Sequence, residues 1–259
     1  MTLANKCASK PLLEIACFNM ESAVIAAQAG ADRIELCRDY ASGGLSPYPE
    51  ALATLKCKLS IPVYVMIRPH AESFYYSDAD FKAMKCTISM LDERGADGYV
   101  FGILNSAIQE GSGEATPVID VARNKELVKL AKGKPCTFHR AFDLIPESQW
   151  DATLKDIVEC GFTSILTSGG PSGSTAIECV DQLESLVHAR LERLEARVKS
   201  DDRLPQIIVG GGVRAANLGI LQERIRAPAF HSAALALSSA ETVSHDEVEA
   251  LRAVLDKAK

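Results

Sequence analysis

The feature that most constrains the fold is a regular alternation of short β-rich runs with longer stretches carrying apolar residues at helical spacing. Such alternation is typical of βα units repeated around a parallel sheet. Eight units can be counted, and 259 residues is close to the usual size of a complete (β/α)8 barrel. The sequence therefore predicts an α/β fold, a single (β/α)8 TIM barrel. We assign residues 1–259 to this one domain and residues 1–11 to a short N-terminal extension.

The elements are predicted from these patterns, with glycine following several helix ends. The predicted strands are Leu12–Cys17, Arg33–Cys37, Val63–Arg68, Gly98–Leu104, Cys136–Phe142, Ser164–Ser168, Gln206–Gly210 and Phe230–Ala234. The predicted helices are Met20–Ala29, Pro49–Lys58, Asp78–Glu93, Val121–Ala131, Gln149–Cys160, Thr175–Lys199, Ala215–Ile225 and His245–Lys257. Residues 111–116 are predicted to be a loop after the fourth strand.

A doubly wound open sheet is the main alternative fold. That fold usually carries a glycine-rich turn after its first strand, whereas Phe18 and Asn19 follow the first strand here. The count of eight units favours the closed barrel.

Charge and hydropathy exclude several classes of function. The net charge is -6 and there is no long basic run, which argues against nucleic-acid and anionic-membrane partners. No apolar stretch reaches the roughly 18 residues of a membrane span, and the N-terminus lacks the apolar core of a secretory signal. We therefore predict a cytoplasmic protein. Its eight cysteines include no Cys-x-x-Cys pair, which indicates buried free thiols rather than structural zinc.

Charged residues inside the predicted strands are the first candidates for chemistry. A barrel strand has one face toward the interior and one toward the apolar helix layer, so a charge should point inward. This argument places Glu14, Glu35, Arg68 and His139 in one mouth, where they could act as acid, base and anion clamp. A buried ion-pair network that only fills the barrel is the alternative.

Two residues near the fifth strand are harder to assign. Arg140 has the opposite parity to His139, so only one of them should face the interior unless the strand already ends there. His139 is preferred because its face also carries the small residues Thr137 and Ala141. Asp143 lies just beyond the strand and is either a further catalytic candidate or a turn and capping residue.

A glycine-rich anion site is predicted from the last three strands. The loops after the seventh and eighth strands of such barrels commonly hold phosphate through backbone N–H groups. The candidates are Ser168, Gly169, Gly211, Gly212 and His231. Glycines needed only for tight turns are the alternative explanation.

Cys17 and Cys37 end the first two strands, which should be neighbours. Paired thiolates are soft ligands that suit Cu(I). Strand alternation argues against this pair: Cys37 lies on the inward face with Glu35, whereas Cys17 lies on the face of its strand opposite Glu14.

Several segments together resemble the CutC family of copper homeostasis proteins. They are residues 12–17 (Leu-Leu-Glu-Ile-Ala-Cys), 29–37 (Ala-Gly-Ala-Asp-Arg-Ile-Glu-Leu-Cys), 43–47, 62–69 (Pro-Val-Tyr-Val-Met-Ile-Arg-Pro), 95–102, 137–143 (Thr-Phe-His-Arg-Ala-Phe-Asp), 166–170, 210–213 and 230–233. The resemblance implies a TIM barrel, cytosolic copper handling and Cu(I) bound by cysteines at the positions of Cys17 and Cys37. The chain departs from the family pattern at Ile-Ile-Val (207–209), in its charged sixth helix and after Ala233.

Three functions follow as hypotheses. The first is a copper homeostasis protein that binds Cu(I) as its cofactor or cargo through cysteine thiolates. The second is a lyase, isomerase or hydrolase acting on a small anionic or phosphorylated metabolite at the mouth. The third is an interaction scaffold that uses the charged segment 189–199. A homo-oligomer is expected for a barrel of this kind.

Overall fold

Eight parallel strands close a barrel in the computed structural model, which describes residues 10–108, 115–190, 204–236 and 241–257. The order around the barrel is β1, β10, β9, β8, β7, β4, β3, β2. The barrel strands are β1 (Leu12–Cys17), β2 (Arg33–Leu36), β3 (Val63–Met66), β4 (Gly98–Phe101), β7 (Cys136–Phe138), β8 (Ser164–Thr167), β9 (Gln206–Val209) and β10 (Ala229–Ser232). The predicted (β/α)8 barrel is confirmed.

Helices cover the outside of the barrel, and several begin at side-chain caps. Asn19 accepts a hydrogen bond from the Ser22 N–H at the start of the first helix, and Ser77 and Asp80 form a capping box at the third. The helices are α1 (Met20–Gln28), α2 (Pro49–Lys56), α3 (Asp78–Glu93), α4 (Val121–Leu130), α5 (Trp150–Cys160), α6 (Val180–Glu184), α7 (Ala215–Ile225) and α8 (His245–Lys257).

The strands divide their side chains between two environments. Leu13 and Ile15 are fully buried in the large apolar cluster that the barrel shares with the helices. The alternate residues face the interior, where Leu12 packs with Leu166 in a small cluster. Polar interior residues thus have no apolar helix beside them, which is the arrangement expected from strand alternation.

The fourth βα connection differs from the prediction. Strand β5 (Leu104–Ile108) pairs antiparallel with β6 (Ala115–Ile119), so residues 115 and 116 belong to a hairpin strand and not to a loop. The predicted fourth strand also ends early, at Phe101, because Leu104 already belongs to this hairpin.

The fifth strand and the sixth helix were also predicted too long. Strand β7 stops at Phe138, and a 3-10 helix occupies Arg140–Leu144 because His139 Nδ1 accepts the Ala141 N–H. Helix α6 begins at Val180, since Glu178 accepts bonds from the Thr175 N–H and hydroxyl and closes a turn there. A π-helical turn follows over Ser185–Arg190, and residues 191–199 of the charged segment lie outside the described residues.

None of the helices in the described ranges is long and apolar enough to span a membrane.

Candidate functional site

A cavity of about 570 Å³ opens at the carboxyl ends of the strands. Its volume lies within the range of small-molecule sites. Its walls combine charged, aromatic and glycine residues from both halves of the barrel. The lining residues include Phe18, Glu35, Cys37, Tyr40, Met66, Arg68, Phe74, His139, Arg140, Gly211, Gly212, Arg214 and His231.

A buried ion-pair network lies below this cavity. The strand register sets Glu14 beside Arg33 on β2 and His231 on β10. Glu14 Oε2 accepts from Arg33 Nε at 2.6 Å, and Glu14 Oε1 is 2.8 Å from His231 Nδ1. Burial alone would raise the pKa of Glu14, but Arg33 and His231 outweigh it and hold that pKa well below its ordinary value. Burial likewise lowers the pKa of His231, yet Glu35 and Glu14 raise it overall.

Glu35 stands one layer closer to the mouth. Its Oε1 accepts the Cys37 thiol at 3.4 Å, while its Oε2 is buried and has no partner among the described residues. Burial raises the pKa of Glu35, and His231 opposes this only in part. Glu35 therefore keeps a proton to a higher pH than an exposed glutamate does.

Three potential metal ligands lie close together in the barrel interior. Ligand atoms of Glu14, Glu35 and His231 lie within 4.8 Å of one another. Both oxygens of Glu14 are already occupied by Arg33 and His231, so a metal ion would have to replace at least one of these two contacts. The donor set does not favour a cation.

His139 follows β7 and lines the opposite wall of the cavity. Its Nδ1 accepts the Ala141 N–H at 3.3 Å, and its Nε2 is buried without a partner among the described residues. Burial, aided by the charge of Arg68, lowers the pKa of His139 to about 3. The imidazole is therefore neutral at physiological pH, and because Nδ1 accepts a hydrogen bond, Nε2 carries the proton and is a donor without a described acceptor.

Arg68 is held by loop carbonyls. Its Nη1 donates to the carbonyls of Ser42, Gly43 and Gly44, and its Nη2 donates to the carbonyl of Ala71. The guanidinium therefore fixes the rim loops of the cavity, and its buried Nε has no partner among the described residues. This arrangement fits a loop clamp better than an anion clamp.

Arg140 also faces the cavity, although alternation favoured His139 alone. Both residues reach it because β7 has ended and the chain has turned into a 3-10 helix. Asp143 accepts from Arg140 Nε at 2.8 Å, from Ser168 Oγ at 2.9 Å and from the Thr167 hydroxyl. Asp143 and Ser168 do not line the cavity; they orient Arg140, whose Nη2 donates to Ser168 Oγ at 3.1 Å.

The predicted anion-site glycines take two different positions. Gly211 and Gly212 line the cavity with φ of 94° and 72°, a conformation that favours glycine. Within the described ranges, their N–H groups and that of Val213 have no hydrogen-bond acceptor. Gly169 is remote from the cavity lining and packs against Leu183, where an added Cβ would lie 2.3 Å from Cγ.

The two candidate cysteines lie on opposite sides of the barrel wall. Cys37 lines the cavity and packs with Met66, whereas Cys17 belongs to the apolar cluster shared with the helices. The Cys17 thiol donates to the Ile15 carbonyl at 3.6 Å. Burial and the neighbouring Glu35 raise the pKa of both thiols well above the ordinary value. This pair does not form a ready two-thiolate site for Cu(I).

Positive charge dominates the lining of the cavity. Arg68, Arg140 and Arg214 all contribute to it, and Glu35 is the one carboxyl among the described lining residues. Asp143 and Glu247 pair with Arg140 and Arg214 but do not line the cavity. The three guanidinium groups therefore favour an anion over a cation in the cavity.

Sequence reasoning did not select Arg33 or Arg214. Arg33 has the same parity as Glu35, so the inward-charge argument already applied to it. Arg214 follows the glycine run, and nothing in the local pattern shows that its side chain turns back toward the cavity.

Comparison with known proteins gives consistent matches. A family model described as the CutC family matches residues 11–235. A CutC family protein of Erwinia tasmaniensis is 36% identical over 80% of this chain and 72% of its own length. The human copper homeostasis protein cutC homolog is 35% identical over 86% of this chain and 73% of its own length. The crystal structure of CutC from Streptococcus agalactiae is similar with a TM-score of 0.74 and 29% identity, covering 86% of this chain and 98% of that chain.

Proposed function

This chain belongs to the CutC family, and from that premise we propose that it serves copper homeostasis, the role in the names of its human and mouse relatives. We further propose that the barrel mouth binds a small organic anion and transfers a proton on it. The second proposal depends on the chemistry of the cavity and not on the names of relatives.

One observation carries this proposal. Two buried polar atoms without described partners, Glu35 Oε2 and His139 Nε2, belong to side chains that line the same positively charged cavity. Buried polar groups in folded proteins are nearly always hydrogen-bonded. A polar ligand in the cavity would supply the missing partners.

The two groups suit different roles in proton transfer. The Glu35 carboxylate can take a proton from one atom of the ligand and return it to another, which restores its starting state. His139 Nδ1 accepts the Ala141 N–H, so the neutral ring carries its proton on Nε2 and can donate a hydrogen bond to the ligand. An anionic group would be held by the N–H groups of Gly211 and Gly212 and by Arg140, as in other barrels that bind at this end. Removing a proton from one position and returning one at another is an isomerisation, so the isomerase class fits best.

Binding is tested by thermal unfolding with a panel of small phosphorylated and carboxylated compounds. A ligand at 100 times its Kd adds about 2.7 kcal/mol of stability, which raises the Tm of a protein this size by about 5–10 °C. Arg140→Ala should abolish the increase. Arg224→Ala is the control, because Arg224 is an exposed residue paired with Asp181 and Glu184. No increase with any compound, or an unchanged increase in Arg140→Ala, would contradict the proposal.

Proton transfer is tested with whichever compound stabilises the protein most. Incubation in D2O followed by NMR should show exchange of a carbon-bound proton in the wild type. Glu35→Gln should retain binding and lose exchange by about 100-fold or more, and His139→Leu, which removes the Nε2 donor, should lower exchange as well. Exchange that persists in both variants would remove these two residues from the mechanism.

Cu(I) binding is a second candidate, favoured by the contact between Cys37 and Met66 beside the cavity. Thiolate and thioether sulfur are ligands that select Cu(I). Because Cys17 faces the helix layer, we expect Cys37 to contribute more to affinity.

The test is anaerobic Cu(I) titration against a strong chelator. We expect Cys37→Ser to weaken binding and Cys17→Ser to change it little. Equal affinity in the wild type and both variants would exclude thiolate binding at this site.

A further inference from the structure

The two halves of the cavity wall differ in chemistry. One half is built by the ends of β1, β2 and β3 and the loops that follow them. It carries Phe18, Tyr40, Met66 and Phe74. The barrel order places these three strands side by side, so the four side chains lie on the same side of the cavity, which we call the aromatic wall.

Ring contacts hold this wall in place. Phe18 and Tyr40 meet edge to face with centroids 5.0 Å apart, and Phe74 lies 4.6 Å from the His139 ring. Arg68 covers Phe74 at 4.9 Å, and loop carbonyls occupy both of its terminal nitrogens. Arg68 thus supports the wall with a guanidinium whose two terminal nitrogens both donate to loop carbonyls.

The other half, built by the ends of β7, β9 and β10, presents N–H donors. Arg140, Gly211, Gly212, Arg214 and His231 all line it. The Gly211 and Gly212 N–H groups have no acceptor among the described residues, and the guanidinium groups add positive charge. An anion is the complement of this half, and an apolar ring is the complement of the aromatic half.

We propose that the ligand is a small anion carrying a planar apolar ring, with the ring against Phe18, Tyr40 and Phe74. Its anionic group, a phosphate or a carboxylate, lies against Arg140, Gly211 and Gly212. This inference rests on the proposed anion-binding function and adds the class of molecule that is bound.

The test compares ligands that differ only in the ring. Phenyl phosphate is titrated calorimetrically beside methyl phosphate, and benzoate beside acetate. Because the ring is buried on binding, phenyl phosphate should bind about 10-fold tighter or more than methyl phosphate, or benzoate than acetate. The pair that binds identifies the anionic group.

Variants assign the preference to the aromatic wall. Phe18→Leu and Tyr40→Leu should each reduce the ratio of aryl to non-aryl affinity at least about threefold. The affinity for methyl phosphate or acetate should stay unchanged. Tyr40 is at the rim and 40% exposed, so its replacement should not disturb folding. Tyr48→Leu is the control, because Tyr48 is 64% exposed and does not line the cavity.

The outcomes separate this inference from the function it rests on. Equal affinity for aryl and non-aryl anions would overturn the inference and leave anion binding standing. An aryl preference that survives in both variants would overturn it as well. If none of the four anions binds the wild type, the inference and the proposed anion-binding function both fail.

Discussion

Replacement of Glu14 by glutamine should destabilise the barrel strongly. The change removes one charge and almost no volume from a fully buried position. Arg33, whose side chain is 9% exposed, would then be left as a buried cation without its counter-ion, and His231, which is 12% exposed, would lose one of the carboxylates that raise its pKa. Breaking a buried pair in this way costs about 3–5 kcal/mol. For a protein of this size the Tm should fall by about 6–20 °C.

The pH dependence supplies a second test. The pKa of Glu14 is lowered in the folded protein, so its contribution is present above pH 4.5 and is lost as the pH falls toward about 2. The pKa of His231 is raised, so its contribution is complete below pH 6.5 and is lost as the pH rises through the folded value. The stability difference between wild type and Glu14→Gln should therefore be largest between about pH 4.5 and 6.5.

The assay is guanidinium unfolding monitored by the fluorescence of Trp150, the one tryptophan, which is buried. The control is Glu126→Gln, because Glu126 forms an exposed pair with Lys85 and should cost less than about 1 kcal/mol. A Glu14→Gln variant within about 1 kcal/mol of this control would refute the reasoning. So would a stability difference that does not change with pH.

Three further outcomes are expected. NMR of the imidazoles should find His139 neutral from pH 5 to 8, because burial lowers its pKa to about 3. Titration of His139 inside that pH range would contradict this effect of burial. Gly169→Ala should cost about 1–3 kcal/mol in chemical denaturation, because its φ of 78° disfavours a side chain and its Cβ would meet Leu183. Gly219→Ala, which has open space in α7, should be neutral or stabilising, and equal effects of the two changes would contradict this explanation. Arg68→Ala should speed proteolytic cleavage near residues 42–44, whose carbonyls it binds, and an unchanged cleavage rate would show that the clamp does not hold this loop.

The family and the barrel could be predicted from the sequence, and both are confirmed. Hydrophobic alternation sets which strand face is inward, so it also anticipated that Glu14, Glu35 and His139 would be buried in the barrel. The cytoplasmic location and the homo-oligomer stay predictions.

Other parts of the site depend on information that local pattern does not contain. The positions of Arg140 and Arg214 depend on how the chain turns after a strand ends, which alternation does not describe. The hydrogen-bond partners of a buried side chain cannot be predicted from local pattern either. Arg68 points inward as expected, but it donates to loop carbonyls some 25 residues away in sequence. Gly169 lies in a glycine-rich segment, yet its role is fixed by Leu183 on a later helix.

The central claim is that the barrel mouth holds a small organic anion. The most direct measurement is a crystal structure of the protein with the anion that raises its Tm most. We expect the anionic group within hydrogen-bond distance of Arg140 and of the Gly211 or Gly212 N–H, with Glu35 Oε2 or His139 Nε2 bonded to the ligand. An anion bound outside the mouth, with Glu35 and His139 still without partners, would contradict the account.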